Sequence, residues 1–161
     1  MGREGPQKIL TIWGPGNNGG DALVASRHLA LFGNQVTIYY PKKPAKELFD
    51  NLSAQWVNLD IPFIEALPED LGIDTFDYIL DGIFGYSFKG DIREPFKAII
   101  DTIGKSGIPI VSIDIPSGWD VDDGNINSTF TPEVLISLTV PKKWALQYDR
   151  VHYCGGRFVP L

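Results

Sequence analysis

The chain has 161 residues, of which 43% are hydrophobic and 12% aromatic, and a formal charge of −6 at pH 7. This length suits one domain with a well-buried core, and the acidic balance argues against a nucleic-acid backbone as the main partner. The single cysteine, Cys154, excludes an internal disulfide, and no apolar run approaches the roughly 18 residues needed to span a membrane.

The predicted elements alternate between strands and helices. In chain order they are a strand at 8–13, a helix at 21–32, a strand at 35–40, a helix at 45–57, strands at 61–64 and 76–80, a helix at 94–103, strands at 108–113 and 134–138, and a last extended segment at 153–159. This alternation predicts an α/β fold with a mostly parallel sheet and right-handed crossovers.

A glycine-rich loop, Gly14 to Asp21, joins the first strand to the first helix. It satisfies the pattern G-x-G-x-x-G, but the acidic residue that a dinucleotide-binding turn requires after the second strand is missing. Gly20 and Asp21 also replace the Lys and Ser/Thr of a phosphate loop. The amides of Asn17 and Asn18, together with the Asp21 carboxylate, suit hydroxyls, an amide group or a hard cation better than a phosphate.

Four polar or glycine-rich segments follow predicted strands, at 14–21, 81–91, 114–120 and 139–143. Because ligands of parallel α/β sheets bind beyond the carboxyl ends of the strands, we expect these segments to form one site. The side chains that we expect to cluster there are rich in oxygen atoms. Such oxygen atoms are suitable ligands for a monovalent or hard divalent cation. These side chains are Asn18, Asp81, Asp114 and Ser117.

Two small basic clusters are predicted to be solvated loops, although either could meet a ligand phosphate. One contains Lys42, Lys43 and Lys46, and the other contains Lys142 and Lys143. Lys89, between Phe88 and Gly90, is the lysine most closely associated with the predicted site.

These segments together resemble the NAD(P)H-hydrate epimerases, also called the YjeF N-terminal domain family. The loop at 14–21, the segment at 81–91 and the run Ile113-Asp-Ile-Pro-Ser-Gly-Trp-Asp120 carry the resemblance, which extends from about residue 9 to 159. It implies a Rossmann-like three-layer αβα sandwich and one domain over 1–161 that lacks the family's N-terminal helical segment. Position 22 is Ala where the family usually has Gly.

The resemblance implies an isomerase that interconverts the R and S forms of hydrated NADH and NADPH (NADHX and NADPHX). It implies a potassium ion held by Asn18, Asp81 and Ser117. The implied substrate contacts are Asn17, Asn18, Gly19, Gly20, Asp21, Gly85, Tyr86, Ser87, Phe88, Lys89, Gly90, Asp91 and Asp114.

Epimerisation requires an acid–base group at the hydroxyl of the hydrate and a ring held in place. Either expulsion of the hydroxyl or opening and reclosure of the ring would invert the carbon. We predict that Asp114 or Asp91 moves the proton and that Lys89 assists or binds phosphate. Whether NADHX or NADPHX is preferred stays open, since Lys42 and Lys43 could favour a phosphate.

The alternative is a non-catalytic nucleotide-binding or scaffold protein on the same fold. A degenerate scaffold should have lost the polar loop residues, and here they are present. The resemblance also implies a separate NAD(P)H-hydrate dehydratase that consumes the S form, a homodimer in the full-length protein, and apolipoprotein A-I as a candidate partner. The expected location is cytoplasmic, with mitochondrial or secreted forms if a further N-terminal segment carries a targeting signal.

Overall fold

A computed structural model of the chain describes residues 5–41, 60–125, 128 and 130–156. The predicted helix at 45–57 and the cluster of Lys42, Lys43 and Lys46 lie outside these residues. The described strands are β1 (Lys8–Trp13), β2 (Gln35–Tyr39), β3 (Phe63–Ile64), β4 (Tyr78–Gly82), β5 (Ile110–Ile113), β6 (Val134–Leu138) and β7 (Val151–Gly155). The helices are α1 (Asn17–Leu31), α2 (Phe96–Lys105) and a 3-10 helix, Lys143–Gln147.

All seven strands form one parallel sheet in the order β3-β2-β1-β4-β5-β6-β7. The first strand, β1, therefore lies inside the sheet. β2 and β3 follow on one side of it, and β4 to β7 follow in order on the other side. This is the order of a Rossmann-like sheet, and it confirms the predicted α/β class. The last strand lies at the sheet edge, as predicted, although it begins at Val151.

The two helices cover opposite faces of the sheet, which gives the predicted three layers. Ala22 and Leu23 of α1 pack in one cluster with Ile9 and Trp13 of β1, whereas Leu10 and Ile12 of the same strand face α2. Alternate residues of β1 thus point to opposite faces, both of which are buried, as expected for a parallel sheet. The predicted apolar stripe of α2 is confirmed, since Phe96, Ile99, Ile100 and Ile103 are all buried.

Helix α1 begins four residues earlier than predicted, at Asn17 instead of Asp21. The second half of the glycine-rich loop is therefore the first turn of the helix, and Asp21 does not cap it. The predicted end at Gly33 is correct. Gly33 has a φ of +92°, and its N–H bonds to Ala30 O while the N–H of Asn34 bonds to Leu29 O, which closes the helix in a Schellman motif.

Candidate active site

A cavity of about 800 Å³ lies beyond the carboxyl ends of β1, β4, β5 and β6. All four segments predicted to meet at this edge contribute to it. Its lining residues are Pro15, Gly16, Asn17, Asn18 and Asp21 after β1, Ile83, Phe84, Gly85, Tyr86, Ser87 and Phe88 after β4, Asp114 after β5, and Leu138, Thr139, Val140 and Lys142 at the end of β6 and after it.

Two glycines of the loop are required for close packing of the backbone. A Cβ on Gly14 would lie 1.8 Å from the backbone oxygen of Ile83, and a Cβ on Gly19 would lie 2.1 Å from the backbone oxygen of Gly14. Only glycine allows these backbones so close. Gly16 and Gly20 have open space at the same position, and of these two only Gly16 lines the cavity.

Asp81 lies near the end of β4 and is completely buried. One carboxylate oxygen accepts hydrogen bonds from the Ser117 hydroxyl (2.5 Å) and the Ile83 N–H (3.2 Å). The other accepts from the Ser112 hydroxyl (2.9 Å) and the Ser117 N–H (2.8 Å). Burial raises the pKa of Asp81, and these hydrogen bonds offset only part of the effect. All four donors are neutral, so none of them compensates the buried charge.

Asn18, in the first turn of α1, connects this network to the rest of the site. Its side-chain nitrogen donates to the backbone oxygens of Phe84 (2.8 Å) and Ile113 (3.1 Å). Because both partners are carbonyl oxygens, the amide nitrogen must face them. The amide oxygen of Asn18 is buried and has no hydrogen-bond partner. The N–H of Phe84, whose backbone oxygen Asn18 binds, donates to the Ser117 hydroxyl (3.1 Å) beside Asp81.

Asp114 is held in a fixed orientation where β5 ends. Its φ of +68° is rare for a residue other than glycine. The N–H of Tyr86 donates to one carboxylate oxygen (2.8 Å), and Lys142 forms an ion pair with the other. Thr139, at the end of the neighbouring strand β6, also has a φ of +68°. Such strained backbone concentrates at functional sites.

Asp21 lies across the same cavity, one turn after Asn18 on α1. Partial burial, and secondarily the negative charge of Asp114, raise the pKa of Asp21 above its ordinary value of 3.8. The cavity therefore contains two carboxyl groups in different environments, one paired with a lysine and one without such a partner. Differences of this kind are how sites assign acid and base roles to similar groups.

The predicted contact segment at 85–91 divides between two cavities. Gly85 to Phe88 line the first, whereas Lys89, Gly90 and Asp91 line a second cavity of about 790 Å³, which Phe88 also borders. Lys97, Asp101, Asp120 and Asp122 line this second cavity as well. The structure thus does not place Lys89 and Asp91 beside Asp114. Carboxylates outnumber lysines around Lys89.

Lys142 is the site residue that the sequence analysis missed. It lies 28 residues after Asp114, so no local pattern connects the two, and the Lys142–Lys143 cluster was predicted to be a solvated loop. Only Lys143 fits that description, since it is exposed. The available signal was the position of Lys142 in the 139–143 segment, which follows a strand at the same edge as the other three. Ser112, whose hydroxyl donates a hydrogen bond to the Asp81 carboxylate, was also missed.

Within the described residues, no helix is long and apolar enough to cross a membrane, and no three His, Cys, Asp or Glu side chains are grouped to hold a metal. The second finding leaves the predicted potassium ligands untested, since Asn18 and Ser117 are not of these types.

Three comparisons with known proteins agree with one another. The family model described as YjeF-related protein N-terminus matches residues 1–144. A Dictyostelium discoideum protein named NAD(P)H-hydrate epimerase is 54% identical over 156 residues, which are 96% of this chain and 66% of that protein. A crystal structure of the yeast protein YNL200c has a TM-score of 0.88 and 43% identity, and the match covers 96% of this chain and 68% of that one. The chain thus spans about two thirds of the length of these relatives.

Proposed function

The chain belongs to the family of YjeF-related protein N-termini, and we propose that it interconverts the R and S hydrates of NADH and NADPH. The name of its Dictyostelium relative supports this activity. The observation that carries the proposal is the position of Asp114. Its backbone is strained, and its buried carboxylate borders a cavity large enough for a nicotinamide ring and its ribose.

The reaction needs a group that gives and takes back one proton at the hydroxyl of the hydrate. In one route the C–O bond breaks as the ring nitrogen lone pair forms a C=N bond, and the hydroxyl leaves as water after gaining a proton. Water then adds to the other face and returns the proton. In the other route the hydroxyl loses its proton and forms a C=O bond while the C–N bond breaks and the nitrogen takes up a proton. The nitrogen then loses that proton as it attacks the opposite face of the C=O group, and the oxygen is protonated again. No electrons are exchanged with a second molecule in either route.

Asp114 is the group best placed for this proton. It lies in the cavity with Asp21 and Asn17, whereas Asp91 lines the other cavity. We therefore choose Asp114 over Asp91 as the acid–base residue. Lys89 and Lys97 of the second cavity are the candidates for contact with a phosphate of the dinucleotide, at the cost of proximity to Asp91, Asp101, Asp120 and Asp122.

A potassium ion fits the chemistry of the residues below the cavity. The Asn18 amide oxygen is an unpaired buried acceptor, and Asp81 is a buried carboxylate whose donors are all neutral. Carbonyl and carboxylate oxygens are suitable potassium ligands. Asn18, Asp81 and Ser117 would hold the ion, which would neutralise the Asp81 charge and fix the loop carrying Phe84 and Gly85. This loop supplies the N–H of Tyr86 to Asp114.

The test is epimerisation of R-NADHX by the purified chain, with S-specific dehydratase in excess and the spontaneous rate subtracted. We expect a protein-dependent rate that Asp114→Asn lowers by about 100-fold or more, because general acid–base catalysis typically contributes that much. Asp74→Asn, an exposed carboxylate in a turn, is the matched control and should keep the full rate. Asp91→Asn should retain most of the rate if Asp114 moves the proton.

Two results would count against the proposal. A folded wild-type chain with no rate above the spontaneous one would favour the alternative, a non-catalytic binding or scaffold protein. Full rates for both Asp114→Asn and Asp91→Asn would exclude both carboxylates as the proton-transfer group. The retained polar side chains of the cavity do not favour the scaffold.

Further partners follow from the proposed activity and from the family. The S hydrate would pass to a separate dehydratase, and we expect a homodimer in the full-length protein. Apolipoprotein A-I is a candidate partner by family resemblance alone. Sedimentation equilibrium would test the dimer, and a pull-down with purified apolipoprotein A-I would test that contact.

A further inference from the structure

Lys142 makes the closest polar contact to Asp114, although the proposed reaction has so far given it no role. It follows β6 and precedes the 3-10 helix, and its ammonium group forms an ion pair with one oxygen of Asp114. The same nitrogen is 3.4 Å from the backbone oxygen of Leu138 and 5.8 Å from the centre of the Tyr86 ring. The side chains of Lys142 and Asp114 are only 14% and 9% exposed, so solvent screens this pair much less than a surface ion pair.

These contacts make Lys142 a poor candidate for binding a substrate phosphate. Its charge is already matched by the Asp114 carboxylate and the Leu138 carbonyl. A phosphate would have to replace that carboxylate or bring a second negative charge beside it. Its neighbour Lys143 is exposed and has no such partner among the described residues.

The same contacts fix the direction of the Asp114 carboxylate. One oxygen is bound by Lys142 and the other by the N–H of Tyr86. A Cβ on Gly85 would lie 3.1 Å from the second oxygen, so any larger residue at position 85 would crowd the carboxylate. A carboxylate held from both sides can transfer a proton only along the directions that its remaining lone pairs leave open.

We propose that Lys142 is a positioning residue for the epimerisation, and that it acts by holding the Asp114 carboxylate in the orientation from which the proton is transferred. This inference rests on the proposed function. Lys142 itself neither gains nor loses a proton in the cycle. The proton removed at one step is returned at the next, so the Lys142–Asp114 pair ends each turnover unchanged.

The test compares Lys142→Met, Lys142→Arg and the matched control Lys143→Met in the coupled epimerase assay. Lys142→Met should lower kcat about 100-fold while KM changes less than about threefold, because orientation is lost rather than binding. Lys142→Arg should recover at least tenfold of that loss, since it retains a cation next to Asp114. Lys143→Met should match the wild type. Circular dichroism and melting temperature establish that each variant is folded.

A double variant separates positioning from an independent role. If Lys142 acts through Asp114, then Asp114→Asn with Lys142→Met should be within about threefold of Asp114→Asn alone. Multiplicative losses would overturn the proposal, and so would a Lys142→Met variant with wild-type kcat or with an effect on KM alone. An inactive wild type would instead contradict the proposed function, so the two failures are distinguishable.

Discussion

At the scale of single residues, Asp81 shows how a buried carboxylate is both stabilised and constrained. Each of its oxygens accepts two hydrogen bonds, and at each oxygen one of the two donors is a backbone N–H. A hydroxyl can rotate to accept a bond, but a backbone N–H cannot. Asp81→Asn would therefore place an amide NH2 against at least one donor that cannot adapt, and would leave it unsatisfied.

We expect Asp81→Asn to lower the free energy of unfolding by about 1–3 kcal/mol, measured by urea denaturation, and Asp74→Asn to change it by less than about 0.5 kcal/mol.

If Asp81 also holds a cation, potassium chloride should raise the melting temperature of the wild type relative to tetramethylammonium chloride of equal ionic strength. The variant should lose that response. An equal response in both proteins would contradict the assignment of Asp81 as a potassium ligand.

Asp21 predicts a pH dependence of stability whose sign follows from its environment. Its pKa is raised in the folded state, so the folded state binds the proton more tightly than the unfolded state. The favourable contribution of Asp21 to stability is therefore fully present below pH 3.8, which is the ordinary pKa of this group. It is lost as the pH rises through the higher pKa of the folded state. Asp21→Asn should gain stability relative to the wild type as pH rises from 4 to 7.

The gain for Asp21→Asn should stay below about 1 kcal/mol, because this side chain is exposed and solvent screens its charge. Urea unfolding of both proteins at several pH values measures it. A difference in unfolding free energy that stays constant or falls with rising pH would contradict a raised pKa. Stability gained at the cost of epimerase rate would be typical of a functional carboxylate.

At the scale of elements, the contact of α1 with β4 sets how closely the helix approaches the sheet. Ala22 is completely buried, and a Cβ on Gly82 would lie 2.2 Å from the Cβ of Ala22. There is room for one methyl group between these two backbones but not for two. The alanine at position 22 is thus accommodated by the glycine on the facing strand.

This geometry predicts a size exchange. Gly82→Ala should lower the free energy of unfolding by about 1–3 kcal/mol through overpacking, and Ala22→Gly should lower it by about 1 kcal/mol through helix propensity. The double variant should be more stable than the sum of the two losses predicts, since each change relieves the other. Strictly additive losses in urea denaturation would show that the two positions do not share this space.

The elements also show what could be predicted from the sequence. Strands with apolar runs were placed within about two residues, because burial on both faces leaves a continuous apolar pattern. The start of α1 was placed too late because Gly19 and Gly20 are poor helix formers. The close packing of Gly19 against Gly14 and Trp13 explains the first of these glycines. Asp81 and Gly82 were predicted as a loop, yet they end β4, since partners distant in sequence satisfy the carboxylate.

At the scale of the whole molecule, the sheet order places the candidate site above its most buried strands. β1 lies between β2 and β4, and five of its six residues are buried. β7 is at the edge, and none of its five residues is fully buried. Stability to local opening should therefore fall from the centre to the edge. The side chains that form the site come from the ends of the central strands, where orientation is best maintained.

Native-state hydrogen exchange tests this gradient. The amides of Leu10–Ile12 and Ile79–Asp81 should exchange slowest, and those of β7 should exchange fastest among the strands from β4 to β7. An exposed parallel edge also offers unpaired backbone groups to another chain. If β7 is instead as protected as β1, and this protection grows with protein concentration, a second copy covers the edge and the expected homodimer forms there. Protection that is high but independent of concentration would contradict both the gradient and that dimer interface.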